Sequence, residues 1–221
     1  MVMEQNRLKG LIYKVMPYKE NSKLVFVYTK KGKLTLVAQG AQKVNHNDRI
    51  LTQYLNLIEF DEKEKNMYRL SNGKLLNEHT HIKNDYHQTK KTALMLEIID
   101  KIITENDEHT LIYQNLIEAL ETLETGYLSF AVKILPIIGY HLNLTPDGRK
   151  VKGFSLLLNR LIYEDESHPI SLDVKETTEL LKLYFPYQSD KIGKLEKIKK
   201  LESFIYQYYQ AYTQTELKTL R

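Results

Sequence analysis

The hydrophobic pattern of the chain changes its period near residue 82, and this change limits the fold more than any other feature. Before that point, short runs rich in β-branched and aromatic residues, such as 24–29 and 34–38, are separated by turn signals. Runs of this kind predict β-strands, here joined in a hairpin through Gly32. After residue 82, apolar residues recur at helical spacing, beginning with 92–103. The sequence therefore predicts an α+β chain in which a strand-rich domain precedes a helical one.

The strand-rich part, residues 1–80, is predicted to form a small barrel or sandwich of about five strands. Pro17 ends the first strand, because proline has no N–H to donate to a neighbouring strand. The predicted strands are 10–16, 24–29, 34–38, 53–60 and a final pair, 67–70 and 75–76, around a turn at Gly73.

Residues 81–221 are predicted to form the helical domain. The predicted helices are 92–103, 110–125 with Thr110 as N-cap, 127–139, 174–183 and 195–217. Gly126 is expected to separate the second and third of these helices, and Pro136 to kink or shorten the third. Residues 143–172 are poorly patterned, and 154–163 fits either a hairpin or a short helix. The tyrosines of the last helix are spaced three and four residues apart, which favours packing; they are Tyr206, Tyr208, Tyr209 and Tyr212.

The chain contains no cysteine, which excludes disulfides, thiolate zinc sites, iron–sulfur clusters and a cysteine nucleophile. It also lacks the glycine-rich phosphate loops, the Gly-x-Ser-x-Gly elbow and the His-Glu-x-x-His motif of common enzymes. His79, His81 and His87 are candidate metal ligands, but polar linker histidines are the preferred interpretation. No apolar run reaches the roughly 20 residues that span a bilayer, and the N-terminus lacks the pattern of a secretory signal. We therefore expect a cytoplasmic protein that is not an enzyme and needs no cofactor or metal.

Positive charge is concentrated at the start of the chain. The whole chain carries a net charge of +4, whereas residues 1–50 contain ten Lys and Arg against three Asp and Glu, a net charge of +7. Such asymmetry suggests a polyanionic partner, either nucleic acid or an anionic membrane, and the alternative is a solvated basic sheet face. Small β-barrels hold single strands in basic grooves with aromatic rings for base stacking. The candidate DNA-binding residues are Lys14, Lys23, Lys30, Lys31, Lys33, Lys43 and Arg49, the candidate stacking residues are Tyr13, Tyr18 and Tyr28, and Phe26 is assigned to the core.

Five N-terminal segments resemble, in order and spacing, the opening of the RecO family of bacterial recombination mediators. They are KGLIYK at 9–14, YKENSKLV at 18–25, YT at 28–29, GKL at 32–34 and AQGAQK at 38–43. Farther on, residues 131–140, which end in LPIIGY, resemble the central helix of the family, and 153–155 and 170–172 also correspond. The resemblance covers most of the chain.

This resemblance implies an oligonucleotide-binding (OB) barrel followed by a helical domain. It also implies a protein that binds single- and double-stranded DNA and anneals complementary strands. Family members act with RecR, often with RecF, and with the single-strand-binding protein, whose acidic C-terminal tail docks on the helical domain. Together these proteins help to load RecA on gapped DNA during recombinational repair, which implies a location in the cytoplasm at the nucleoid. No covalent chemistry is implied.

The chain departs from the family pattern in its N-terminal part and in its helical domain. Many members carry a four-cysteine zinc module, but the corresponding region here, 143–172, has no cysteine. Ser22 and Lys23 replace an Asp-Arg pair, and Gln39 and Gln42 replace two cations. Two other interpretations stay open: a protein-interaction scaffold whose helical domain does the binding, and an RNA-binding barrel.

Overall fold

The first two strands lie at the centre of the N-terminal sheet, with two further strands on each side of them. The six strands are β1 (Arg7–Tyr18), β2 (Ser22–Thr29), β3 (Gly32–Ala38), β4 (Leu57–Asp61), β5 (Met67–Arg69) and β6 (Lys74–Asn77). In the computed structural model, which describes residues 6–185 and 195–221, their order is β5-β3-β2-β1-β4-β6. Among these six strands, the pair β3 and β5 alone is parallel. The prediction that Pro17 ends the first strand was wrong, because β1 continues through Pro17 to Tyr18 and pairs there with β2 only.

This curled sheet has six strands where the sequence predicted five. The predicted strand 53–60 begins only at Leu57, because the residues before it turn back onto β1. There the N–H of Ile12 donates to the Asn56 carbonyl at 2.9 Å. The N–H of Leu55 in turn donates to the Ile12 carbonyl at 2.9 Å. Two short helices complete this part of the chain, α1 (Asp48–Leu51) and α2 (Thr80–Lys83).

Alternate residues of β2 and β3 face the core of this sheet. Val25 and Val27 are fully buried, and Leu36 lies opposite Val25 on β3. Burial with a period of two is what a sheet with one apolar face requires. The remaining core residues come from the other strands and the adjoining loops: Leu8, Ile12, Ala38, Ala41, Leu51, Ile58, Phe60, Tyr68 and Leu70.

Strand β1 contains a β-bulge at Tyr13. Ile12 and Lys14 lie opposite consecutive residues of β2, so β1 uses three residues where β2 uses two. Because side chains alternate along a regular strand, Ile12 and Lys14, two residues apart, would share one face if β1 had no bulge. The bulge instead leaves Ile12 and Val15 on the core side and turns Lys14 to the opposite side.

The remaining described residues form helices and one small sheet. Strands β7 (Val151–Ser155) and β8 (Arg160–Tyr163) form a hairpin, so the hairpin considered for 154–163 is correct. Strand β9 (Leu172–Asp173) pairs with the other edge of β7. The helices are α3 (Tyr86–Lys101), α4 (His109–Glu121), α5 (Leu123–Lys133), α6 (Val174–Tyr184) and α7 (Ile198–Tyr208). Within the described residues, no helix is both long enough and apolar enough to cross a membrane.

The chain divides into two units, and α4 contributes residues to both. We call Met1–Thr89 with His109–Gln114 the N-terminal unit, and Lys90–Glu108 with Asn115–Arg221 the C-terminal unit. Thr110, the predicted N-cap, lies inside α4 and donates from its hydroxyl to the Lys30 carbonyl at 3.3 Å. The predicted cap was therefore wrong, because this hydroxyl joins the start of α4 to the β2–β3 turn within the N-terminal unit.

Helix α5 ends earlier than predicted and contains the glycine that was expected to separate two helices. It stops at Lys133, before Pro136. Gly126 lies inside α5, because this helix already begins at Leu123. A Cβ atom at Gly126 would lie 2.9 Å from the Cα atom of Ala119 on α4. Glycine therefore permits α4 and α5 to approach each other closely at this point.

The C-terminal tyrosines pack inside the C-terminal unit, as predicted. Tyr208 and Tyr209 are buried, and the Tyr209 hydroxyl donates to a backbone carbonyl of α5 at 2.6 Å. Tyr212 stacks on Tyr208, with ring centroids 4.5 Å apart. The predicted helix 195–217 is shorter than expected, since α7 ends at Tyr208 and a π-helical turn follows.

We expect Gly126→Ala to lower the free energy of unfolding by about 1–3 kcal/mol, because the added methyl group pushes α5 away from α4. Urea denaturation followed by circular dichroism measures this change. Ser203→Ala places alanine on the exposed side of α7 and serves as the control, with an expected change below about 0.5 kcal/mol. Equal effects of the two substitutions would contradict the close approach of the helices.

Candidate nucleic-acid interface

One side of the N-terminal sheet is turned away from the core and presents cations together with apolar side chains. Register places Lys14 opposite Phe26, Phe26 opposite Thr35, and Thr35 beside Met67. We call this surface of β1, β2, β3 and β5 the outer face. Its members are three basic residues (Lys14, Lys33 and Arg69) and seven uncharged ones (Met16, Tyr18, Leu24, Phe26, Thr35, Val37 and Met67). The outer face thus combines positive charge with apolar surface.

Phe26 lies at the centre of the outer face, which corrects its assignment to the core. It is half-buried, and the Lys14 Nζ atom lies 5.4 Å from the ring centroid, as in a cation–π contact. The ring of Tyr13 packs beside Phe26 with a centroid distance of 6.2 Å and an interplanar angle of 59°. The Phe26 ring is therefore supported by Tyr13 and covered by an exposed lysine.

The predicted DNA-binding cations do not all lie on one face. Lys14 and Lys33 belong to the outer face, whereas Lys30 and Lys31 lie in the turn between β2 and β3. Lys31 forms an ion pair with Glu62, so part of its charge is neutralised within the protein. Lys30 is exposed at the same turn.

Lys23 and Arg49 lie near each other on the core side of the sheet. Lys23 is opposite the core residue Ala38, and its Nζ atom lies 3.4 Å from Thr52 Oγ1. Burial lowers the pKa of the Lys23 ammonium group, and the positive charge of Arg49 lowers it further. Two neighbouring cations attract an anion, and a bound phosphate would raise this pKa again. Lys43, the remaining predicted cation, is exposed in the segment that follows β3.

Two of the three predicted stacking tyrosines are buried, so their rings are not available to a base. Tyr28 is 0% exposed; its ring contacts that of His109 at 5.8 Å, and its hydroxyl lies 3.2 Å from His109 Nδ1. Tyr13 is the buried bulge residue of β1. Tyr18 is half-buried at the end of β1, and the Lys19 Nζ atom lies 5.3 Å from its ring centroid. Of the three tyrosines, Tyr18 stays a candidate.

Sequence analysis did not identify Arg69, and it assigned Phe26 to the wrong side of the sheet. A signal for Phe26 existed, because a hairpin through Gly32 places it opposite the polar residue Thr35. The other set of alternate β2 residues, which does not include Phe26, lies opposite leucines and an alanine of β3. This pairing indicates that the other set faces the core. Arg69 had no comparable signal, since β5 reaches β3 by a parallel pairing that short-range sequence patterns do not reveal.

Carboxylates elsewhere on this sheet are compensated by a local arginine. Arg7 contacts Glu59 at 3.0 Å and Asp61 at 3.2 Å. Asp61 also accepts a hydrogen bond from Asn72 Nδ2 at 2.7 Å. These acids belong to β4, on the other side of β1 from β2 and β3. The members of the outer face include no carboxylate.

His79, one of the histidines considered as metal ligands, is buried beside the turn that precedes β4. Its Nδ1 atom lies 2.8 Å from the Leu55 carbonyl oxygen, and since a carbonyl only accepts, Nδ1 carries the hydrogen. His81 and His87 are exposed, and the described part of the chain brings together no group of three residues suited to bind a metal ion. Burial lowers the pKa of the His79 imidazole; the contact with Leu55 raises it, and the charges of His81 and Lys83 lower it again, so the net shift is downward.

We expect His79 to make the protein less stable as the pH falls from about 7.5 to about 5.5. Its folded-state pKa lies below the usual value of about 6.5, so the unfolded chain binds the proton first and the free energy of unfolding decreases. His79→Asn suits the left-handed backbone at this position (φ 49°) and should show a smaller decrease. Chemical denaturation at the two pH values measures this decrease in the free energy of unfolding.

His87→Asn, on the exposed surface of α3, is the matched control and should keep the pH dependence of the natural protein. The same pH dependence in all three proteins would contradict the role assigned to the buried imidazole.

Charged side chains hold the β7–β8 hairpin in the region that has no cysteine. The Arg149 guanidinium lies 3.9 Å from the centroid of the Tyr163 ring. It also contacts Asp147 at 2.7 Å, Asp165 at 3.0 Å and Glu166 at 3.1 Å. Next to the paired strands of this hairpin, the chain thus has ion pairs and a cation–π contact, and it has no cysteine to supply a thiolate.

The N-terminal unit matches a known protein family. Residues 3–79 match the family model described as "Recombination protein O N terminal". The "DNA repair protein RecO" of Listeria monocytogenes is 26% identical over an alignment of 236 positions, which covers 96% of this chain and 91% of that protein. The protein of the same name from Halalkalibacterium halodurans is 23% identical, covering 98% of this chain and 93% of its own length. That of Clostridium perfringens is 32% identical over 144 residues, or 60% of this chain and 58% of that protein.

The family model spans the strands of the N-terminal sheet, and two of these relatives align along nearly the whole chain. Together, these findings show that the chain is similar to RecO proteins: its N-terminal unit matches their family model, and nearly the whole chain aligns with two of them.

Proposed function

We propose that this protein is a DNA-binding recombination mediator that anneals complementary strands in recombinational DNA repair. The observation that carries the proposal is the outer face, where Lys14, Lys33 and Arg69 lie among exposed apolar side chains. The relatives are DNA repair proteins by name, which supports the same general role for this chain. The N-terminal unit is proposed to be an OB-type fold that binds DNA on this side of its sheet.

Charge neutralisation is the proposed mechanism of annealing. Two DNA strands repel each other, and a protein that contacts phosphates with Lys and Arg displaces counterions and reduces that repulsion. The outer face supplies one group of cations, Lys23 and Arg49 supply a second, and Lys30 and Lys43 extend the basic surface. Contacts with phosphates do not depend on base sequence, which suits a protein that anneals any complementary pair. No covalent bond is made or broken, so the proposed activity is not enzymatic.

The partners are proposed from the family resemblance. We expect the protein to act with RecR and the single-strand-binding protein, and with RecF where it is present, in loading RecA on gapped DNA. The C-terminal unit is the proposed docking part for the acidic tail of the single-strand-binding protein. The proposed place of action is the cytoplasm at the nucleoid.

A pocket in the C-terminal unit favours a second candidate function, that of a protein-interaction scaffold. It has a volume of about 320 Å³, and its lining includes Val151 and Leu161 of the hairpin and Val174 and Leu181 of α6. Phe185, which also lines the pocket, is 42% exposed. In this alternative the C-terminal unit does the binding and the N-terminal sheet only supports it.

We expect Lys33→Ala to weaken binding of a labelled single-stranded oligonucleotide. It should also lower the slope of log Kd against log salt concentration by about 0.7, the value for one phosphate contact on a single strand. Fluorescence anisotropy at several salt concentrations measures both quantities. Lys31→Ala should change the slope less, because Glu62 already neutralises part of that charge.

Lys199→Ala, on the exposed surface of α7, is the matched control and should keep the original slope. Addition of the complementary strand then measures annealing, which should slow in parallel with the loss of affinity. If Lys14→Ala, Lys23→Ala and Lys33→Ala all keep the original slope, the proposed interface is wrong. Binding lost only through changes in the C-terminal unit would favour the scaffold.

A further inference from the structure

The outer face exposes apolar side chains in a basic setting. Met16 and Met67 are 44% and 48% exposed, and they lie on strands on opposite sides of β2. Phe26 lies on β2 between them. Clustered exposed apolar groups mark binding surfaces in folded proteins. Because the charged members of this surface are all basic, a ligand that combines apolar groups with negative charge would be complementary to it.

Both half-buried aromatic rings of the outer face have a lysine above them. Lys14 lies over Phe26 at 5.4 Å, and Lys19 lies over Tyr18 at 5.3 Å. Tyr18 is opposite Ser22, four residues before Phe26 on β2, so the two rings are separated by about 13 Å along the strand direction. Neighbouring nucleotides cannot span this distance, so the two rings would contact bases of an extended single strand that are separated by at least one nucleotide.

A single strand fits this surface better than a duplex does. A single strand exposes the faces of its bases to aromatic rings and its phosphates to cations. A duplex exposes its phosphates, whereas its base faces are covered by neighbouring base pairs. Apolar rings therefore add affinity for a single strand only.

We propose that Phe26 and Tyr18 are base-stacking residues and that the outer face consequently prefers single-stranded to double-stranded DNA; this rests on the proposed function. Phe26 is the main contact because Tyr13 holds its ring in place at the centre of the face. A base that stacks on Phe26 takes the position of the Lys14 ammonium group. The flexible stem of Lys14 then lets that ammonium group reach a neighbouring phosphate.

Titration of the full chain with a single strand and with a duplex of equal length tests the proposal. Phe26→Leu should reduce single-strand affinity by about 5- to 150-fold and duplex affinity by less than about twofold, with an unchanged salt slope. Phe26→Trp keeps an aromatic ring and should retain the single-strand affinity. Tyr86→Leu, which removes an exposed aromatic ring of α3 outside the outer face, is the matched control and should change neither affinity. Circular dichroism establishes first that each variant is folded.

If Phe26→Leu does not fold, Tyr18→Leu tests base stacking at the other aromatic ring. A loss of affinity for the single strand, and not for the duplex, is again expected. Original single-strand affinity in the leucine variants, or equal loss for single strand and duplex, would overturn base stacking. The same titrations of Lys14→Ala and Lys33→Ala distinguish a failure of the base-stacking proposal from a failure of the proposed DNA-binding function. If their salt slopes fall as expected while Phe26→Leu binds normally, base stacking alone is wrong. If their slopes do not change, the interface itself is wrong.

Discussion

The β-bulge at Tyr13 is the constraint on which the outer face depends. In a regular strand, the alternation that keeps Ile12 in the core would also direct Lys14 into the core. Burial of an ammonium group without a partner costs several kcal/mol. The extra residue brings Val15 to the core side and places Lys14 on the outer face beside Phe26. One local irregularity thus completes the core and creates the centre of the candidate DNA-binding surface.

A segment distant in sequence determines how much of the outward side of the sheet is exposed. Tyr28 is two residues from Phe26 on β2 and points to the same side, but the first turn of α4 covers it through His109 and Tyr113. Phe26 lies beyond this cover and keeps part of its ring accessible. The aromatic residues of β2 therefore have different roles: Tyr28 stabilises the N-terminal unit, and Phe26 is available to a ligand.

Spacing patterns along the sequence correctly predicted the features that depend on neighbouring residues. They did not predict the features that depend on contacts between segments distant in the sequence. The hairpin of β2 and β3, the strand-to-helix change and the packing of Tyr208 and Tyr209 all follow from local spacing. The sequence did not show which side of β2 carries Phe26, because every residue from 24 to 28 is apolar. Either set of alternate residues in this run could therefore face the core. Burial of Tyr28 depends on residues 109–114, which no strand pattern reveals. The position of Gly126 inside α5 depends likewise on contact with α4.

The binding of DNA to the outer face of the N-terminal sheet can be tested by photocross-linking. The full chain is cross-linked to a single-stranded oligonucleotide that contains 5-iododeoxyuridine, and the linked peptides are identified by mass spectrometry. Cross-links are expected within β1, β2 and β3, with Phe26 or Tyr18 among the linked residues. Cross-links confined to the hairpin and α6 would contradict binding at the outer face and assign DNA binding to the C-terminal unit.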